Sequence, residues 1–81
     1  MRLSYTRTAL RQLGNATPVI RKAFYKQAGL LLDNLHHPSL RAKKYDESKN
    51  VWQARVNRDW RFYFVLRDDV CVILSVIAHP K

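Results

Sequence analysis

The sequence predicts one α+β domain over residues 1–81, in the order β-α-α-β-β-β, with a mainly antiparallel sheet and both helices packed on one of its faces. Three observations predict it. A short alternating segment opens the chain, two capped helical patterns fill the rest of its first half, and three strand-like segments joined by short turns fill its second. A length of 81 residues holds one core, and with nearly half of them apolar that core can close without help from elsewhere.

Arg2-Leu3-Ser4-Tyr5-Thr6 alternates apolar and polar, as a half-buried strand does. Thr8 is placed to cap a short helix over residues 9–13, and Gly14 to stop it. Thr17-Pro18 marks a second helix start, since proline's missing N–H has no partner in a first turn anyway. Ile20, Ala23, Phe24, Ala28, Leu31, Leu32 and Leu35 then recur at helical spacing and form a wide apolar face, while Arg21, Lys22, Lys26 and Asp33 fall outside it. The pattern ends near His36-His37-Pro38, where cationic side chains suit the helix terminus.

Residues 39–50 form a polar, basic connection in which 40–45 has room for a short edge strand. Trp52, Ala54 and Val56 alternate with Gln53, Arg55 and Asn57. Asn57-Arg58-Asp59 turns the chain. Trp60, Phe62, Phe64 and Leu66 then alternate with Arg61, Tyr63 and Val65, and Arg67-Asp68-Asp69 makes a tight hairpin turn. Residues 70–78 are almost all apolar and rich in β-branched side chains, which predicts a central strand covered on both faces.

Composition narrows the function. Fifteen Lys and Arg against six Asp and Glu give a net charge of +9, which makes a polyanion the expected partner. The opening residues are too polar for a signal peptide, and no apolar run can span a membrane, so a cytoplasmic protein with no membrane partner is expected. The single cysteine, Cys71, has no internal disulfide partner and reads as a buried small hydrophobe. No Cys/His metal spacing, carboxylate cluster or glycine-rich phosphate loop is present, so neither a metal nor another cofactor is expected.

Period-two geometry gathers the polar strand residues. With the aromatic positions facing the helices, Gln53, Arg55, Arg61 and Tyr63 share the other face, joined by His79 at the end of the last strand and by Lys43, Lys44 and Arg58 from nearby loops. Like charges facing each other across a sheet are destabilising, so paired arginines point to an anion. Their planar fork suits phosphate, and an adjacent aromatic can stack a base. Solvated strand arginines, a surface histidine near the terminus and a solvated lysine pair are the structural alternatives.

The stretch 51–64, VWQARVNRDWRFYF, resembles the RelE/ParE toxin superfamily, whose members carry an aromatic and a basic residue on one strand, a turn, and an aromatic–arginine pair opening the next. The basic connection 38–44 and the ending 76–81, VIAHPK, are similar to the same family, so the likeness covers nearly the whole chain. It implies a microbial-ribonuclease-like fold and neutralisation by a cognate antitoxin, expected here to be acidic. In the RelE-like branch it implies metal-independent cleavage of mRNA in the ribosomal A site, and so inhibition of translation. It maps Arg61 onto the arginine that stabilises the transition state, Arg55 onto a basic residue that binds RNA phosphate, and His79 onto a C-terminal histidine acting as acid or base. Gln53 stands where other members have a catalytic lysine or another polar residue. Two departures stand out: Pro80 follows His79 where some active members have tyrosine, and Ala42 is nearest by spacing to their general-base carboxylate.

Two functions of different class follow. In the first, an endoribonuclease uses Arg61, Arg55 and His79 for catalysis and Lys43, Lys44, Gln53, Arg58 and Tyr63 to hold RNA. In the second, a ParE-like toxin of the same fold inhibits DNA gyrase and catalyses nothing. A plain RNA-binding module is a third reading, which makes the likeness accidental.

Overall fold

The computed structural model describes residues 1–79; Pro80 and Lys81, including the departure at Pro80, lie outside the described residues. The elements are β1 (Arg2–Tyr5), α1 (Arg7–Asn15), α2 (Pro18–Asp33), a 3-10 turn at Pro38–Leu40, β2 (Lys43–Asp46), β3 (Val51–Arg55), β4 (Trp60–Arg67) and β5 (Val70–Ala78). They form one five-stranded sheet in the order β1-β5-β4-β3-β2. The edge strand foreseen within residues 40–45 is therefore present as β2. Every pairing is antiparallel except that of β1 with β5, which is parallel. The Arg2 amide donates to the Asp69 carbonyl at 2.9 Å and the Thr6 amide to the Ile73 carbonyl at 3.0 Å, tying β1 down at both ends.

Both helices start on a threonine. Thr6, rather than Thr8, caps α1: its Oγ1 accepts from the Ala9 amide at 3.1 Å and donates to the Leu74 carbonyl at 2.8 Å, so one side chain joins helix to sheet. Gly14 does not stop α1, because it has no positive φ; the helix runs through it to Asn15. Thr17 caps α2 with Pro18 in the first turn, as its sequence predicts. The second helix ends at Asp33 and Asn34, earlier than the histidines. His36 and His37 are therefore not at the helix terminus; His37 instead caps the 3-10 turn, its Nδ1 accepting from the Ser39 amide at 3.2 Å.

One core joins the two helices to one face of the sheet. Ala9 and Leu13 from α1, Phe24, Ala28 and Leu31 from α2, Leu40, and Ala54, Phe62, Phe64, Cys71, Ile73 and Val76 from the strands are all buried. Phe24 meets Phe62 edge to face at 5.3 Å between centroids, which seats α2 on β4. Trp52 stacks on Phe64 at 6.2 Å and covers the core margin. The other sheet face is not covered. Although β5 is central, Ile77 is 38% exposed and Val72 and Leu74 are only half-buried, so the expectation of cover on both faces does not hold. The apolar run instead supplies one buried face and one open apolar one.

Candidate nucleic-acid interface

The open face is built by register. Arg55 sits directly opposite Arg61, Gln53 opposite Tyr63, and Lys43 opposite Gln53. Residues facing each other across antiparallel strands have Cβ atoms about 4.5–5.5 Å apart, so two guanidinium groups are anchored side by side. Between these side chains lies a cavity of about 330 Å³ lined by Arg41, Lys43, Gln53, Ala54, Arg55, Arg61 and His79. Four of the seven are Arg or Lys and none is a carboxylate. Nothing lining the cavity neutralises that charge, and an anion is the complement it lacks.

The two arginines are held differently. Arg61 Nη1 donates to the carbonyls of Asn57 at 2.9 Å, Trp60 at 3.0 Å and Arg58 at 3.2 Å, which pins the guanidinium to the turn between β3 and β4. That turn is itself organised by Asn57, whose Oδ1 accepts from the amides of Asp59 and Trp60. Burial, and then the neighbouring Arg55, push the Arg61 guanidinium below its usual pKa. An arginine stays protonated through such a shift, so the direction reports a site that disfavours further cation and favours an anion. Arg55 Nε is buried without a hydrogen-bond partner among the described residues. The backbone of Arg55 is fixed from behind: Gln27 of α2, itself buried, donates through Nε2 to the Arg55 carbonyl at 2.9 Å and to the Ser39 carbonyl at 3.1 Å.

His79 reaches the cavity through an irregularity in β5. Cys71 and Ile73 face the core, and strict alternation would carry Ser75, Ile77 and His79 to the core side with them. The register shifts between Tyr63 and Phe64, where Leu74 is the extra residue on β5. The phase then inverts: Val76 is buried opposite Phe62, and Ile77 lies opposite Arg61 on the open face. His79 follows on that face, exposed, with its amide donating to the Asp59 carbonyl at 2.7 Å. A bulge thus re-aims one strand end toward the cavity, a role bulges often take beside functional sites.

The sequence-predicted residues divide accordingly. Arg55, Arg61, His79, Gln53 and Lys43 come together around the cavity. Tyr63 stands next to it, its hydroxyl accepting from Gln53 Nε2 at 2.9 Å. Lys44 does not join them. It pairs with Trp52 on the helix side, its Nζ 5.2 Å from the indole centroid and 2.6 Å from Asn50 Oδ1. Lys43 and Lys44 are strand neighbours and so point to opposite faces, whereas a loop would have left both free to turn. Arg58 is exposed at the turn and outside the cavity lining, and contributes its carbonyl to Arg61.

Two residues of this face escaped the sequence reading. Arg41 lines the cavity from a left-handed conformation, φ 45°, where the chain leaves the 3-10 turn. Tyr45 packs its ring against Tyr63 at 4.8 Å. The alternation Arg41, Lys43, Tyr45 inside the possible edge strand carried that signal. Ala42, by contrast, packs against the core. Among the described residues no three His, Cys, Asp or Glu side chains gather as metal ligands. No described helix is long and apolar enough to cross a membrane.

No protein-family model matches the chain, and no curated protein matches it. Its architecture is nonetheless found among solved structures. A YoeB/ParE toxin from Agrobacterium tumefaciens superposes with a TM-score of 0.83 at 9% identity, covering 99% of this chain and all of that one. YafQ from E. coli strain BL21(DE3) does so at 0.79 and 18% identity, over 95% of this chain and 91% of its own. A chain of the archaeal RelE–RelB complex from Pyrococcus horikoshii matches at 0.76 and 16% identity, over 99% and 96%. The chain has the RelE/ParE-like fold. At these identities the likeness is one of fold, and the residues of the cationic face carry the functional reading.

Proposed function

We propose that this protein is the toxin of a type II toxin–antitoxin pair and a metal-independent, ribosome-dependent endoribonuclease that cuts mRNA in the ribosomal A site. The observation that carries the reading is the carboxylate-free cavity in which Arg55 and Arg61 face each other beside His79. In the reaction the ribose 2′-oxygen attacks the adjacent phosphorus, the P–O5′ bond breaks, and a 2′,3′-cyclic phosphate and a 5′-hydroxyl remain. Negative charge grows on the equatorial oxygens, where donors fixed in advance stabilise the transition state most. The carbonyls that pin Arg61 Nη1 fix the guanidinium in advance, leaving its other nitrogens for the phosphate. Arg55 adds the second fork. His79 is the proton carrier at the cavity: it gives the leaving 5′-oxygen its proton while water takes that of the 2′-hydroxyl, or it takes the latter while water supplies the former. Lys43 and Gln53 hold the flanking backbone, and Tyr63 supports Gln53. Lys44 and Arg58, set apart from the cavity, are left with longer-range attraction to the RNA backbone. A RelE solved together with RelB supports a cognate protein partner here, an antitoxin expected to be acidic because this chain carries a charge of +9.

The test is induction in cells followed by mapping of new mRNA 5′ ends, for the wild type and for Arg61→Ala. Cuts within translated regions are expected from the wild type, falling about a hundred- to a thousandfold with the variant. Growth arrest with intact mRNA and damaged chromosomes would instead support the ParE-like reading.

A further inference from the structure

The open sheet face has a second half that the cationic cavity does not use. Beyond Gln53 lies a depression of about 280 Å³ lined by Tyr45, Val51, Tyr63, Leu74, Ser75 and Ile77, with no charged side chain among them. Tyr45 is 62% exposed, with its ring packed edge-on against Tyr63. It keeps the alternation of Arg41 and Lys43, and β2 bulges at this residue. Lys44 pairs with Trp52 and Asp46 with Val51, so Tyr45 is the extra residue on β2. Two separate bulges, at Tyr45 on β2 and Leu74 on β5, therefore place their extra residues around one depression. Bulges are over-represented beside functional sites, and here two non-adjacent strands of one sheet place theirs around the same depression.

The two halves meet on two rungs of the sheet. Ile77 of the neutral half is the direct partner of Arg61 of the cationic half, and Tyr63 hydrogen-bonds Gln53 across the boundary. Along β4, Arg61 and Tyr63 are two residues apart, about 6.8 Å. That separation matches the scale of a nucleotide, which presents an anionic phosphate at one end and a neutral π-face at the other. We propose that the neutral half binds the base of a nucleotide flanking the phosphate in the cationic cavity, with Tyr45 as the surface on which it stacks. This rests on the RNA-directed reading of that cavity. The bound strand then runs along the direction of the sheet strands, from the cationic end of the open face to its neutral end, and a site built of backbone-contacting cations gains a subsite that feels the presence of a base.

The probe is short single-stranded RNA, 2′-O-methylated so that no 2′-hydroxyl is available for cleavage, in a series that carries one abasic position at a time. Affinities for the wild type, Tyr45→Ala and Tyr45→Phe are measured at fixed salt. Stacking of one base on an aromatic ring corresponds to roughly a 5- to 150-fold change in affinity. Tyr45→Ala is expected to lose that much on intact RNA, with the salt dependence of binding unchanged, while Tyr45→Phe binds like wild type. One abasic position should cost the wild type the same factor and cost Tyr45→Ala nothing further. Undiminished binding by Tyr45→Ala overturns the stacking site and leaves the cationic cavity standing. If Tyr45→Ala binds RNA normally but changes the protein's sedimentation, the patch is a protein–protein surface and the proposal is wrong. No binding of RNA by the wild type even at low salt would overturn both this proposal and the reading beneath it.

Discussion

Arg61 does two jobs with one side chain. Nη1 serves three backbone carbonyls of the turn, and the same side chain lines the cavity. A lysine at this position has one ammonium group and no fork, so it can brace the turn or meet the phosphate, but not both. Arg61→Lys is therefore expected to lose about a hundredfold or more in mRNA cleavage, close to Arg61→Ala, with Tm near that of wild type. Wild-type cleavage by the lysine variant would show that charge alone suffices there. Cys71 makes a contrasting case, since it is fully buried and burial pushes its thiol up to about 11. Its folded-state pKa is raised, so its contribution to stability is whole below the ordinary thiol value near 9 and is lost as pH rises toward about 11. Thiol-directed labelling is expected to be slow in the native protein at neutral pH and fast once it is unfolded; rapid native labelling would contradict the burial. Both residues were legible as types in a pattern: the arginine by alternation with core aromatics, the cysteine by its apolar surroundings. Lys44 was not, because which face it takes depends on whether residues 43–46 are strand or loop.

At the scale of elements, the site depends on the contact between α2 and the end of β3. The Gln27 side chain bridges the carbonyls of Ser39 and Arg55, so one helix residue positions both the start of the basic connection and the strand end that carries Arg55. Gln27→Leu keeps the volume and leaves two part-buried carbonyls unpaired, each worth about 1–3 kcal/mol. A loss of that order or somewhat more is expected in chemical denaturation, together with weaker cleavage at temperatures where the variant is still folded. Unchanged stability would mean that water replaces the bridge without cost. Gly29, on the exposed side of α2, has open space around its missing Cβ and no positive φ, so Gly29→Ala is expected to raise stability by about 0.5–1 kcal/mol. The succession of strands and helices was readable because periodicity and turn chemistry are local. The bulges were not. His79 belongs to the open face only because Leu74 interrupts the alternation of β5, and the strand's eight apolar residues and one serine do not mark Leu74 as the extra one. Likewise the parallel seating of β1 against β5 joins the two ends of the chain and has no local signature.

At the scale of the molecule, the question is whether the charge of +9 acts as a diffuse field or through the cavity. The structure separates the two. Arg41, Lys43, Arg55 and Arg61 converge on the open sheet face, whereas Lys22 and Lys26 are exposed on α2, which packs against the opposite face. Neutralising a phosphate on single-stranded nucleic acid contributes a slope of about −0.7 to the dependence of log affinity on log salt. If the four cavity cations each meet a phosphate, the slope is about −2.8, and raising salt fourfold weakens binding roughly fiftyfold. Removing one of the four by Lys43→Ala should reduce the slope by about 0.7, while Lys22→Ala should leave it where it was, measured by titration of single-stranded RNA at several salt concentrations. Equal effects of the two substitutions would mean that RNA reads the net charge and not the face. A binding constant that does not move with salt would remove phosphate recognition altogether, and with it the reason for two arginines to face each other across β3 and β4.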